Sequence, residues 1–189
     1  MPAGDQCAFG HTQEQILRAP GSGITFRAMT DLGGQAPERE LLSGFLDWHR
    51  AVVVRKVDGL PLADATKVMT PTGLSPLSVV AHLAAVELGW FDETFLGRPE
   101  DQALADHGNF QLSPEDTVES VVSEYHRACE RSRAIVAEAT SLDVLSSGQS
   151  RSFGHVSLRW ILAHMLEETA RHAGHLDIMR EAIDGTTGD

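Results

Sequence analysis

Leu158-Arg-Trp-Ile-Leu-Ala-His-Met-Leu-Glu-Glu-Thr-Ala-Arg-His-Ala-Gly-His175 sets the architecture of this chain. Ile161, Met165, Glu168, His172 and Met179 share one stripe at helical spacing, with Leu158 and Leu176 flanking it. The pattern predicts a helix from about Ser157 to Ile183, stopped by Asp184-Gly185. The stripe is apolar except at Glu168 and His172, and residues four apart are neighbours on a helix surface. These two side chains can therefore reach one ion together. A carboxylate oxygen and an imidazole nitrogen suit a borderline divalent metal such as zinc, nickel or iron(II). His175 lies near the other edge of the stripe, and His164 lies further out.

Three more segments upstream carry apolar residues at three- and four-residue steps. The first is expected from Pro37-Glu-Arg-Glu to Gly59, with Leu42, Phe45, His49, Val52, Val53 and Lys56 following one another at helical steps. The second opens at Ser75-Pro76, with serine as N-cap and proline at the first helical position. It carries Val79, His82, Val86, Gly89 and Glu93 in one stripe, with Trp90 beside it, and ends at Gly97-Arg-Pro99. Residues 98–112 read as a polar loop containing His107. The third helix is expected to open at Ser113-Pro-Glu-Asp116, with Val118, Val121, Val122, Tyr125, Cys129, Ser132 and Val136 as its apolar face. Residues 146–154 read as a loop. No strand is expected. Four helices joined by loops predict an all-α fold, an antiparallel four-helix bundle, over residues 37–189. Residues 1–36 are rich in Gly, Pro and polar residues, lack a sustained period and read as an N-terminal arm.

The 189 residues, 42% of them hydrophobic, suffice for one domain with a sizeable core. A net charge of -12 repels phosphate backbones, so nucleic acid is not an expected partner. No run of about 18 apolar residues is present, so no membrane span is expected. Met-Pro-Ala-Gly-Asp-Gln lacks the charged start and apolar stretch of a secretory signal, and a cytoplasmic location is expected. Cys7 and Cys129 form no CxxC motif and read as reduced thiols.

The candidate chemistry lies with polar residues on apolar faces. His82 sits on the stripe of the second helix, Glu168 and His172 on that of the fourth. A polar group on an apolar face must be paired or must ligate something. Bundle interiors build metal sites from facing helices, and three protein ligands leave positions open for water or substrate. Taken singly, His82 also reads as a hydrogen-bonded core histidine, and Glu168 with His172 as a surface pair; taken together, the three admit a shared metal equally with those readings. Two histidines are candidate catalytic residues. His49 reads either as a base in the cavity or as a satisfied core histidine. His164 reads as a hydrogen-bonding partner of a ligand or substrate, or as a structural residue at the helix edge. His175 is a candidate fourth ligand or a partner to one. Glu93 lies three turns from His82, too far to ligate with it. Arg159, Arg171 and Trp160 read as packing, solubility or substrate-carboxylate residues. His107, His126 and His155 have no supporting context.

Leu77-Ser-Val-Val-Ala-His-Leu-Ala-Ala-Val-Glu-Leu-Gly-Trp-Phe91 and Leu158–His175 together resemble the DinB/YfiT-like superfamily. Leu41-Leu-Ser-Gly-Phe-Leu-Asp-Trp-His-Arg50 and Lys56-Val-Asp-Gly-Leu60 extend the resemblance to about residues 38–185. The best fit is to its actinobacterial branch, related to mycothiol-dependent maleylpyruvate isomerase and mycothiol S-transferases. The resemblance implies a four-helix bundle that holds a divalent metal through one His on the second helix and a pair four residues apart on the fourth. Many members carry His-xxx-His at that pair. This chain has Glu168 at the first position, similar to the isomerase branch with its His, Glu and His. The implied ligands are therefore His82, Glu168 and His172, binding zinc or alternatively nickel or iron. The implied reaction is S-transfer or isomerisation of a small electrophilic substrate with a low-molecular-weight thiol, mycothiol, as cosubstrate. Neither cysteine adjoins the motifs, so the nucleophilic thiol is expected from the cosubstrate. Metal-assisted hydrolysis and a non-catalytic metal-binding or stress-response module are the alternatives. A homodimer is expected, because Leu46, Leu88 and Phe95 fall off the core stripes and family members are often dimeric.

Overall fold

The computed structural model describes residues 34–99 and 105–188. The proposed N-terminal arm, with Cys7 and His11, lies almost wholly outside the described residues. The helices are α1 (Glu38–Val57), α2 (Leu62–Ala65), α3 (Pro76–Leu88), α4 (Ala105–Gly108), α5 (Val118–Glu138) and α6 (Leu158–Asp184). Beyond Leu88, α3 continues as a π-helical turn over Gly89–Phe95. Among the described residues there is no strand, only the isolated bridges Leu145–Ser157 and Ser150–Gly154. The chain is all-α, and no described helix is long and apolar enough to cross a membrane.

The caps explain the helix limits. Ser75 and Ser78 bond each other's backbone N–H reciprocally at the start of α3, and Pro76 occupies the first position. Ser157 Oγ accepts from Trp160 N at the start of α6. Gly185, at φ 76°, ends α6 in a left-handed conformation that costs glycine nothing. α1 packs chiefly on α6 and α3 chiefly on α5, while α3 also touches α1 and α6. One apolar cluster gathers Val53, Val57, Leu77, Val80, Leu83, Tyr125 and Leu176. A second gathers Leu46, Phe91, Phe95, Leu158, Ile161 and Met165.

Three expectations are corrected. On α1, Val52, Val53 and Lys56 of the expected face are buried, but Phe45 is 37% exposed and Leu46 is 1% exposed, so the first half of the helix is turned from that face. Its buried line runs through Leu46, Arg50, Val53 and Val57, and His49 is only half-buried. Arg50 supplies the reason. Its guanidinium forks onto the buried Glu87 of α3, Nε to Oε1 at 2.7 Å and Nη2 to Oε2 at 2.6 Å. Leu46 and Phe95 thus belong to the core, which removes most of the apolar surface that suggested self-association. Second, α5 starts at Val118, where Thr117 and Ser120 form the capping box. Ser113 forms a turn instead, its N–H donating to Asp116 Oδ2 at 2.7 Å. Third, the segment read as a polar loop holds α4, and His107 is buried with Nε2 3.0 Å from Asp116 Oδ2.

Cys129 is a free, buried thiol, with Sγ 3.9 Å from Glu87 Oε1. Burial pushes its pKa up, and Glu87 pushes it further the same way. Cys129 is therefore expected to resist iodoacetamide in the folded protein and to react fully in guanidinium. Peptide mass spectrometry checks this; rapid labelling of the folded chain at Cys129 would contradict the burial.

Candidate metal centre

α3 and α6 bring His82, Glu168 and His172 together. Each offers one ligand atom, and the three atoms lie within 4.8 Å of one another. His82 Nε2 is 3.5 Å and His172 Nε2 3.2 Å from the same oxygen, Glu168 Oε1. Two ligands about 2.0–2.1 Å from a tetrahedral zinc lie about 3.3 Å apart, so the observed separations match the edges of such a site. Ordinary hydrogen bonds give similar lengths, so the proton count must discriminate.

The proton count favours a cation. His82 Nδ1 lies 2.9 Å from the carbonyl oxygen of Gly108. A carbonyl only accepts, so Nδ1 carries the proton, and a neutral imidazole then has a bare lone pair on Nε2. That lone pair faces a carboxylate oxygen. The arrangement is repulsive unless a second proton or a metal ion lies between them. His172 is set up similarly, with Nε2 towards Glu168 and Nδ1 3.3 Å from His175 Nδ1. Anchoring the far nitrogen is how metal-binding histidines are oriented. When the imidazoles carry the second proton on Nε2, hydrogen bonds from His172 and then His82 hold the Glu168 carboxyl well below the usual carboxylate range, against the opposing effect of burial. Burial, then His172 and Arg171, lowers the pKa of His175 and keeps that imidazole neutral.

The centre opens into a cavity of about 610 Å³ walled also by Thr72, Gly73, Leu74, Asn109, Phe110, Gln111, Arg171 and His175. Phe110 stacks on His82 with ring centroids 3.8 Å apart. It has φ 61°, and it is the one non-glycine residue with positive φ among the described residues. A bulky side chain in that region is strained, and strain of this kind gathers at functional sites. Gly108 and Phe110 were not found by the sequence reading. The backbone carbonyl and the loop path that place them leave no periodic signal.

The two proposed catalytic histidines do not line this cavity. His164 packs between Trp90 and Trp160, with ring centroids at 4.7 and 5.1 Å, and burial lowers its pKa. At 100° per residue it is rotated about 80° from His172, enough to leave the cavity. His49 follows the altered phase of α1. Glu93 lines a different cavity. His155 bonds Ser146 O and Gln149 in the loop before α6.

Residues 41–185, most of the chain, match the family model described as mycothiol S-transferase. No curated protein matches the chain.

Proposed function

The chain belongs to the mycothiol S-transferase family, and on that premise we propose that it joins a small thiol, mycothiol, to an electrophilic carbon at a divalent-metal centre held by His82, Glu168 and His172. The observation that carries the metal is the lone pair of His82 Nε2 aimed at Glu168 Oε1 while Nδ1 is committed to Gly108. One carboxylate oxygen and two imidazole nitrogens suit zinc, nickel or iron(II). A bound divalent ion would act as a Lewis acid that lowers the pKa of a coordinated thiol.

The chain's own residues supply the rest. Glu168 offsets the ion's charge, and the anchored far nitrogens keep both imidazoles aimed. His175 Nδ1 accepts from His172 Nδ1 and so fixes that ring, and the thiol proton passes to solvent in the open cavity. In the transfer the S–H bond breaks and an S–C bond forms, and the electrophile's leaving group or π bond takes the released electron pair. Cys129 is buried against Glu87, which supports an external thiol as the nucleophile.

The test is turnover of a panel of alkyl halides and activated alkenes with and without mycothiol. Glu168→Gln is expected to lower kcat/KM by about 100-fold or more. Glu167→Gln should stay within about threefold, because Glu167 is exposed, does not line the cavity and pairs with Arg171. Equal losses in the two variants would remove Glu168 from the site. Hydrolysis without added thiol would select a hydrolase, and metal binding without either activity a binding module.

A further inference from the structure

Asn109 lines two cavities. One is the metal cavity. The other, of about 580 Å³, is walled by Trp90 and Arg98 after α3, by Asn109, and by Gln149, Ser150 and Arg151 before α6. Its volume lies within the range of about 300–1,000 Å³ typical of small-molecule clefts. Gly108 also lines it, and the carbonyl of Gly108 anchors His82. The two cavities therefore lie on either side of one turn of backbone.

The second cavity is built by identifiable devices. The π-helical turn of Gly89–Phe95 re-aims the residues after Leu88, and such turns are frequent at functional sites. The loop carrying Gln149 is tied to that turn by backbone bonds, Ser147 N to Phe95 O at 2.8 Å and Gly148 N to Thr94 O at 2.9 Å. A Cβ at Gly148 would lie 2.5 Å from Glu93 O, so only glycine permits the approach. His155 Nδ1 donates to Ser146 O at 2.8 Å, which leaves Nε2 to accept from the Gln149 amide at 3.0 Å. Arg98 is fixed by Asp92 at 2.6 Å. The cavity is thus largely preformed.

Its chemistry is specific. It presents an indole, two guanidinium forks, two carboxamides and two hydroxyls, together with the Glu93 carboxylate. Planar groups that donate or accept in pairs match neighbouring hydroxyls, and an indole face suits the C–H face of a sugar ring. The carboxylate among the donors disfavours a phosphate or other strong anion. We propose that this cavity binds the hydroxyl-rich glycoside body of the thiol cosubstrate, while its thiol arm passes Asn109 to reach His82, Glu168 and His172. The proposal rests on the S-transferase reading for the identity of that thiol.

The probe is the thiol-free body of mycothiol, its glucosaminyl-inositol, titrated by calorimetry into the full chain. The test variant is Gln149→Ala with Arg151→Ala. Both sit on an exposed loop held by backbone bonds, and circular dichroism checks that the variant folds. Wild type should bind the probe, and the double variant should bind it at least about tenfold more weakly, the loss expected from one charge-assisted hydrogen bond. In turnover, the KM for mycothiol should rise by a similar factor while that for the electrophile stays put. No binding by wild type, or equal binding by both proteins, overturns the proposal. Probe binding that the variant loses, without any thiol-dependent turnover, keeps the glycoside cavity and removes S-transfer. Turnover whose mycothiol KM is unmoved in the variant keeps S-transfer and removes the cavity.

Discussion

His172→Ala is expected to strip the centre of metal. After exhaustive dialysis, elemental analysis should return about one divalent ion per wild-type chain and less than about a tenth of that for the variant. The size of the effect follows from geometry. His82 and His172 each meet the same Glu168 oxygen, so removing one imidazole opens the site and leaves only two ligands. Changing a residue that merely supports a ligand costs about 10- to 100-fold in affinity, and losing a ligand costs more. His164→Ala is the matched control. It lies on the same helix, away from the cavity, and should keep the ion. Acid should release the metal by protonating imidazole nitrogens, because ligands must be deprotonated to bind. Glu168 stays ionised well below the usual carboxylate range, so affinity falls as pH falls without Glu168 being the group that titrates. Stoichiometric metal retained by His172→Ala would sink the assignment.

The parts of this centre that were legible in the sequence are those that periodicity and caps control. α6 keeps a clean stripe from Ile161 to Met179 and begins at a serine cap, so Glu168 and His172 announce themselves as polar residues on an apolar face. α3 offers the same signal at His82, behind Ser75-Pro76. α1 misleads because Ala51-Val-Val-Val54 is apolar on every side and hides the phase, while the residue that marks the buried line is the charged Arg50. The start of α5 misleads because two cap signals compete. Ser113-Pro114 looks like the stronger one, but Asp116 bonds Ser113 N and His107, which closes a turn there. The wall formed by Gly108 and Phe110 was not legible at all. It depends on where a loop crosses α3, and a backbone carbonyl carries no sequence signature.

Glu87→Leu is expected to be the most destabilising single change among the polar core residues. Glu87 is fully buried between α1 and α5 and accepts from Arg50 through both oxygens and from Ser132 Oγ at 2.6 Å. Burial alone would lower the pKa of Arg50, but the charge and hydrogen bonds of Glu87 reverse this, so the guanidinium stays charged inside the core. Removing Glu87 leaves that charge with Asp47, which meets it at 2.8 Å from the half-exposed edge of α1. Breaking a buried pair costs about 3–5 kcal/mol, and Asp47 brings the expectation to the lower end. At about 2–4 °C per kcal/mol for a chain of this length, the melting temperature should fall by about 6–12 °C. Arg50→Met combined with Glu87→Leu should recover most of the loss, because burying two charges carries a desolvation cost that apolar replacements avoid. The comparison separates packing from charge. If both the single and the double variant lose the same stability, Glu87 contributes shape rather than a counter-charge. If the single variant melts within about 2 °C of wild type, Arg50 has found water or another partner, and the buried fork is not what joins α1 to α3.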